Sequence, residues 1–135
     1  MNKKIIITGL ILIGIIAVNW LYRSDETVAT LHGDLCLENT YNRFWCQMNN
    51  GKAEVTLRSG RADCITNDHA VETDWASKWK EGIGQSLAYS TETGKAPAIL
   101  VIQKKRTDKK YLKLLRQTIN RQNLGIDVFI IWSQC

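Results

Sequence analysis

The 135-residue sequence predicts an α/β domain built on a mixed β-sheet, with elements in the order α-β-β-β-α-β-α-β, preceded by one transmembrane helix. Three observations lead there. A nearly continuous apolar stretch occupies the front of the chain. After a first helical segment, short runs separated by turn residues have the pattern of a strand meander. Two apolar runs, "AILVIQ" and "IDVFII", stand on either side of a segment of helical period, as buried strands of βαβ units do.

Residues 1–23 read as the membrane segment. Lys3 and Lys4 precede a run from Ile5 to Leu21 that is broken only by Thr8 and Asn19, and Trp20 and Tyr22 close it as interfacial aromatics. No small-x-small cleavage site follows, which favours a retained single-pass anchor; a cleaved signal segment, with secretion of the remainder, is the alternative. In both cases the basic front stays in the cytoplasm and the chain from about residue 24 is exported. For a bacterial inner membrane that means a periplasmic or other extracytoplasmic domain. Lys3, Lys4 and Arg23 account for three of the 18 basic residues, so 15 basic residues face 13 acidic ones in the remainder, a net +2 of the chain's +5. So mild an excess says little about partners by itself. Its distribution says more, because Lys104, Lys105, Arg106, Lys109, Lys110, Lys113 and Arg116 have only Asp108 among them.

Residues 24–33 read as a polar tether and 34–135 as the domain. Asp34 is placed to N-cap a helix over about residues 35–48, with Leu37, Tyr41, Phe44, Trp45 and Met48 as its buried face and "NNGK" as its stop. "AEVTL" and "RADCI" flank "RSG" as a hairpin, and "TNDH" turns the chain into a third strand, "AVETD". Trp75 to Ser90 has helical period, with Trp75, Trp79, Ile83 and Leu87 in a four-residue ladder. "TGKAP" breaks it, and "AILVIQ", a helix from Asp108 to Gln122 and "IDVFII" complete the domain. Gly82 and Gly84 each cost about 1 kcal/mol relative to alanine inside a helix, so "EGIGQ" implies close packing against the sheet or a substrate.

The four cysteines of an exported domain predict two disulfides. Cys36 and Cys46, ten residues apart on one helix, would stand about 15 Å apart. That exceeds the reach of a disulfide, about 6 Å between Cα atoms. Of the two remaining connectivities, Cys46–Cys64 with Cys36–Cys135 is preferred, because the helix end leads straight into the hairpin that carries Cys64.

The candidate chemistry lies between residues 61 and 90. Asp63 falls on the second strand, and Glu72 and Asp74, two apart on the third, share a face. With Asp63 on that face, three carboxylates converge into an oxygen-rich set suited to Mg2+ or Mn2+, ions that polarise a phosphodiester. Lys78, Gln85 and Tyr89, spaced by seven and four, fall on one helical stripe. Solvated carboxylates at strand ends, an N-cap role for Asp74 and a surface role for Lys78 are the plainer readings. His69, beside Asp68, reads as a turn residue.

This arrangement resembles the PD-(D/E)xK nuclease superfamily. It has a carboxylate on the second strand, an acid-x-residue pair on the third and Gln-x-x-x-Tyr on the next helix, which is similar to the RecB-type branch. The resemblance covers roughly residues 34 to 132. It implies a restriction-endonuclease-like three-layer αβα fold and a Mg2+- or Mn2+-dependent nuclease. Asp63 and Glu72 would ligate the metal, supported by Asp74 and Glu38, while Gln85 and Tyr89 match the helix motif. The family's lysine, two residues after the second acid, is Asp74 here, and Lys78 is placed to substitute for it from the helix. Lys104, Lys105, Arg106, Lys109 and Lys110 become candidate contacts to a nucleic-acid backbone; a solvated helix face or a contact with anionic lipid is the alternative. Two functions follow. One is a membrane-anchored, exported nuclease; the other is an inactive nuclease-fold module that binds nucleic acid or a protein partner at the cell envelope.

Overall fold

A computed structural model of the chain describes residues 36–135. The anchor expected over residues 1–23, the tether and the Asp34 cap lie outside the described residues. Among the described residues no helix is long and apolar enough to cross a membrane.

The elements are α1 (Glu38–Met48), β1 (Lys52–Leu57), β2 (Gly60–Ile65), β3 (His69–Trp75), α2 (Trp79–Thr93), β4 (Ala96–Gln103), α3 (Lys109–Gln122) and β5 (Asp127–Trp132). Short 3-10 turns at Ala76–Lys78 and Arg106–Asp108 lead into α2 and α3. The strands form one mixed sheet in the order β1-β2-β3-β4-β5. Tight turns make β1, β2 and β3 antiparallel neighbours, whereas the helical crossovers α2 and α3 make β3, β4 and β5 parallel. The α/β class, the mixed sheet and the element order are therefore as the sequence predicts.

β4 is buried from Ala98 to Gln103 because both of its faces are covered. On one face Ile99 and Val101 pack with Trp79, Ile83 and Leu87 of α2 and with Leu115 and Ile119 of α3. On the other, Ala98 and Leu100 pack with Val71, Trp45 and Cys46 of α1, Phe129 and Ile131. The disulfides are Cys46–Cys64 and Cys36–Cys135, with Cα atoms 5.7 and 5.6 Å apart. Gly51 crosses the first of them closely: a Cβ there would fall on Cys64 Sγ and 2.7 Å from Cys46 Sγ.

Several local expectations are corrected. The first helix begins at Glu38 rather than 35, and its N-cap residue, Leu37, makes no side-chain cap. Tyr41 and Trp45 do pack inward, but Leu37, Phe44 and Met48 are exposed, and Asn42 and Cys46 are buried in their place. The cause is tertiary, since the disulfide to Cys64 and the hydrogen bonds of Asn42 turn α1 away from its most apolar stripe. Trp75 ends β3 and meets Tyr41 edge-on at 5.8 Å, so the helical ladder starts at Trp79. Gly82 is packed as expected, whereas a Cβ on Gly84 would meet nothing within 4 Å.

Candidate active site at the β2–β3 fork

The pairing of β2 with β3 is brief. Cys64 pairs with Val71 and Ile65 with Ala70, and no further pairs join the two strands. Side chains take over the backbone groups at this fork. The Thr73 amide donates to Asp63 Oδ2 at 2.8 Å, Asn42 Nδ2 donates to the Asp63 carbonyl at 2.8 Å, and Thr73 Oγ1 donates to Asn42 Oδ1 at 3.1 Å. On β1, Glu54 lies opposite Asp63 in the hairpin register, adopts φ 56° and pairs with Arg61 at 2.8 Å.

Glu72 and Asp74 stand beside Ile99 and Val101 in the parallel register and so belong to the face covered by α2. They are only 7% and 5% exposed. The helix comes close, since a Cβ on Gly82 would sit 3.1 Å from Asp74 Oδ2 and 3.3 Å from Ile99 Cγ2. Among the described residues, Glu38 Oε2, Glu72 Oε2 and Asp74 Oδ2 are buried without a hydrogen-bond partner. Asp74 therefore does not cap a helix.

The electrostatics follow from this crowding. Burial, then the charges of Asp63, Asp74, Glu38 and Glu54, push the Glu72 carboxyl up to about 9. Burial and the Glu38 charge raise Asp74 to about 7 against the opposing pull of Lys78. Burial raises Asp63 to about 6, opposed by the Thr73 amide and reinforced by Glu54 and Glu38. Uncompensated buried carboxylates are unfavourable, so they either take up protons or meet a cation. The orphaned oxygens are hard donors, of the kind that divalent metal ions take. Among the described residues, however, no three acidic, histidine or cysteine side chains are already gathered in ligating positions around one point.

Lys78 is exposed in the 3-10 turn ahead of α2, so it does not share a continuous helical stripe with Gln85 and Tyr89. Its charge reaches Asp74 without forming an ion pair; among the described residues Arg58 pairs with Glu92 and Arg61 with Glu54. Tyr89 is buried against Ala62 and Ala70 and feels the Glu72 charge. Burial, then that charge, raise its hydroxyl, while a hydrogen bond from the exposed Gln85 opposes them. At the fork Glu38, Asp63, Glu72 and Asp74 thus feel one another's charge and Tyr89 feels that of Glu72, with Lys78 and Gln85 at its margin. His69 lies elsewhere, 2.8 Å from Asp127 and edge-on to Phe129.

The basic run sends its side chains to different neighbours along its length. Lys104 Nζ lies 4.0 Å over the Trp75 ring and Lys110 Nζ 4.8 Å over Tyr111. Lys105, Arg106 and Lys109 are exposed. Three fork residues escaped the sequence reading. Asn42 and Thr73 carry no motif that marks them. Glu54 had a signal, because a hairpin turning at "RSG" places it opposite Asp63.

No family model matches the chain, and no solved structure matches it. A stretch of 40 residues is 48% identical to a protein of Acanthamoeba polyphaga mimivirus named as a KilA-N domain-containing protein, L33. The match covers 30% of this chain and spans 16% of that protein's length.

Proposed function

We propose that the β2–β3 fork is the active site of a membrane-anchored, exported nuclease of PD-(D/E)xK type with a restriction-endonuclease-like fold. The observation that carries this reading is the pair of buried carboxylates, Glu72 and Asp74, whose Oε2 and Oδ2 have no partner among the described residues. Glu72 follows Asp63 from the neighbouring strand, in the order of the family's two acids, and Asp74 stands at the position of its lysine. The two disulfides agree with an oxidising compartment.

Asp63 and Glu72 would hold Mg2+ or Mn2+, with Asp74 and Glu38 in support. Bound there, the ion would polarise a phosphodiester and lower the pKa of its water. Asp63 is fixed for this by the Thr73 amide, which occupies one of its two oxygens. Lys78, exposed beside Asp74, supplies the cation that stabilises charge on the phosphate. Gln85 orients the Tyr89 hydroxyl next to Glu72. In the net reaction a water oxygen bonds to phosphorus, the bond from phosphorus to the leaving oxygen breaks, and that oxygen takes up a proton.

An inactive module that binds nucleic acid or a protein at the envelope is the second reading, favoured by Asp74 at the position of the family's lysine. Both are tested on the detergent-solubilised, oxidised full chain, offered labelled single- and double-stranded DNA and RNA with Mn2+ or Mg2+ against EDTA. Cleavage that needs metal and is lost in Asp63→Ala and Lys78→Ala is the expected result. A folded wild type that cleaves nothing, and whose Tm ignores Mn2+, would replace it with the second reading.

A further inference from the structure

The sheet face that carries the fork holds a second feature toward the β5 edge. A groove of about 520 Å3 lies between α3 and the end of β5. Lys109, Lys113 and Arg116, four and three residues apart, line it from one side of α3, and none of its lining residues is acidic. Ile130 and Trp132 line it from β5, with Trp132 46% exposed. Gln103, at the end of β4, also lines it; this residue is only 2% exposed, and its Nε2 has no hydrogen-bond partner among the described residues.

Each part calls for a different piece of one ligand. A buried amide donor without an acceptor is unfavourable until an acceptor arrives. An exposed indole offers a flat surface for stacking, and the helical stripe of cations attracts an anionic backbone. A nucleobase joined to phosphates meets all three demands. A lipid surface would satisfy the cations but would not reach a donor buried in the groove. A duplex keeps its base faces stacked inside and has none to place on Trp132.

We infer that the α3–β5 groove binds single-stranded nucleic acid, with an unpaired base stacked on Trp132, a base acceptor on Gln103 Nε2, and phosphates on Lys109, Lys113 and Arg116. The position suits a strand that leads to the fork. Gln103 pairs with Trp132, and Val101, two residues earlier on β4, pairs with Asp74. At strand spacings of about 4.8 Å and rises of about 3.3 Å per residue, Trp132 stands about 10 Å across and about 7 Å along the sheet from Asp74. This names single strands as the substrate class of the proposed nuclease and rests on that reading for its biological role.

The test is fluorescence anisotropy of a labelled oligo-dT and a mixed-sequence duplex of equal length with the full chain in detergent, in EDTA so that nothing is cleaved. The single strand binds more tightly than the duplex. Trp132→Ala weakens its binding about tenfold or more, and Trp132→Phe restores most of the loss. Lys113→Gln with Arg116→Gln flattens the slope of log affinity against log salt by about 1.4, whereas Trp132→Ala leaves the slope unchanged. Wild-type affinity in Trp132→Ala, equal affinity for duplex, or binding only to anionic vesicles overturns the inference. Asp63→Ala separates the two sites: it retains oligonucleotide binding when the groove is real, even if no form of the protein cleaves.

Discussion

The Thr73 amide donates to Asp63 Oδ2 at 2.8 Å, so a side chain satisfies the backbone where the β2–β3 ladder stops. Opening a sheet would ordinarily leave buried amides and carbonyls unpaired. Here the carboxylate takes one amide and Asn42 takes the Asp63 carbonyl, so the gap is held open with its backbone groups satisfied. Glu38 of α1 adds its charge to Asp63, Glu72 and Asp74.

That crowding predicts a pH dependence. Unfolded carboxylates titrate near 4, whereas in the folded chain Asp63, Asp74 and Glu72 titrate near 6, 7 and 9. The native state therefore holds extra protons across that interval. Their stabilisation is complete below about pH 4 and is lost as pH rises through the folded values. With EDTA, Tm should be lower at pH 8 than at pH 5 by roughly 5 °C or more, and Mn2+ should recover the loss at pH 8. Glu72→Gln should flatten the profile. A metal-free Tm that is level or rises between pH 5 and 8 would refute this account.

Asn42 is the structural keystone of the fork. Asn42→Ala leaves the Asp63 carbonyl and Thr73 Oγ1 without its amide, at a cost of about 1–3 kcal/mol. Urea denaturation should show that loss as a lower midpoint at unchanged m-value. An unchanged midpoint would mean that other groups satisfy the fork.

The two glycines of "EGIGQ" should respond oppositely. Gly84→Ala enters open space and gains the helix preference of alanine, about 1 kcal/mol. Gly82→Ala meets Asp74 Oδ2 and the fully buried Ile99, so the helix gain is forfeited and Tm falls. The Tm response to Mn2+ should shrink in Gly82→Ala alone; a matching rise in Tm for both variants would show that α2 does not press on Asp74.

The Cys36–Cys135 bridge closes a loop of sequence separation 99. Its removal as Cys36→Ser with Cys135→Ser should cost about 4 kcal/mol, chiefly by freeing the unfolded chain. Guanidinium unfolding should then show an earlier midpoint with a steeper m-value. Gly51→Ala attacks the other bridge by steric conflict, and a free-thiol assay on the unfolded variant should find Cys46 and Cys64 reduced in part of the population.

The strands and the helices could be read along the chain because their causes are local, whereas the pairing of Cys36 with Cys135, at a sequence separation of 99, was a preference between two connectivities. Short runs between turn residues and apolar runs marked the strands, and a helix length ruled out Cys36–Cys46. Glu72 and Asp74 on one face follow from the two-residue repeat of a strand. The exposed side of α1, the ending of β3 at Trp75 and the contrast between Gly82 and Gly84 were not legible in this way. They depend on where an element docks.

By itself, then, the sequence determined which segments are helix or strand and which acids share a face, since backbone periodicity and turn chemistry act within a few residues. Only the tertiary structure decided that Asp74 is a buried acid rather than a helix cap, that Glu38 reaches the fork from α1, and that Gln103 and Trp132 share a groove with the cations of α3. Those facts depend on contacts such as Asn42 with Asp63 and Thr73, 21 and 31 residues apart, whose formation follows from packing the whole sheet.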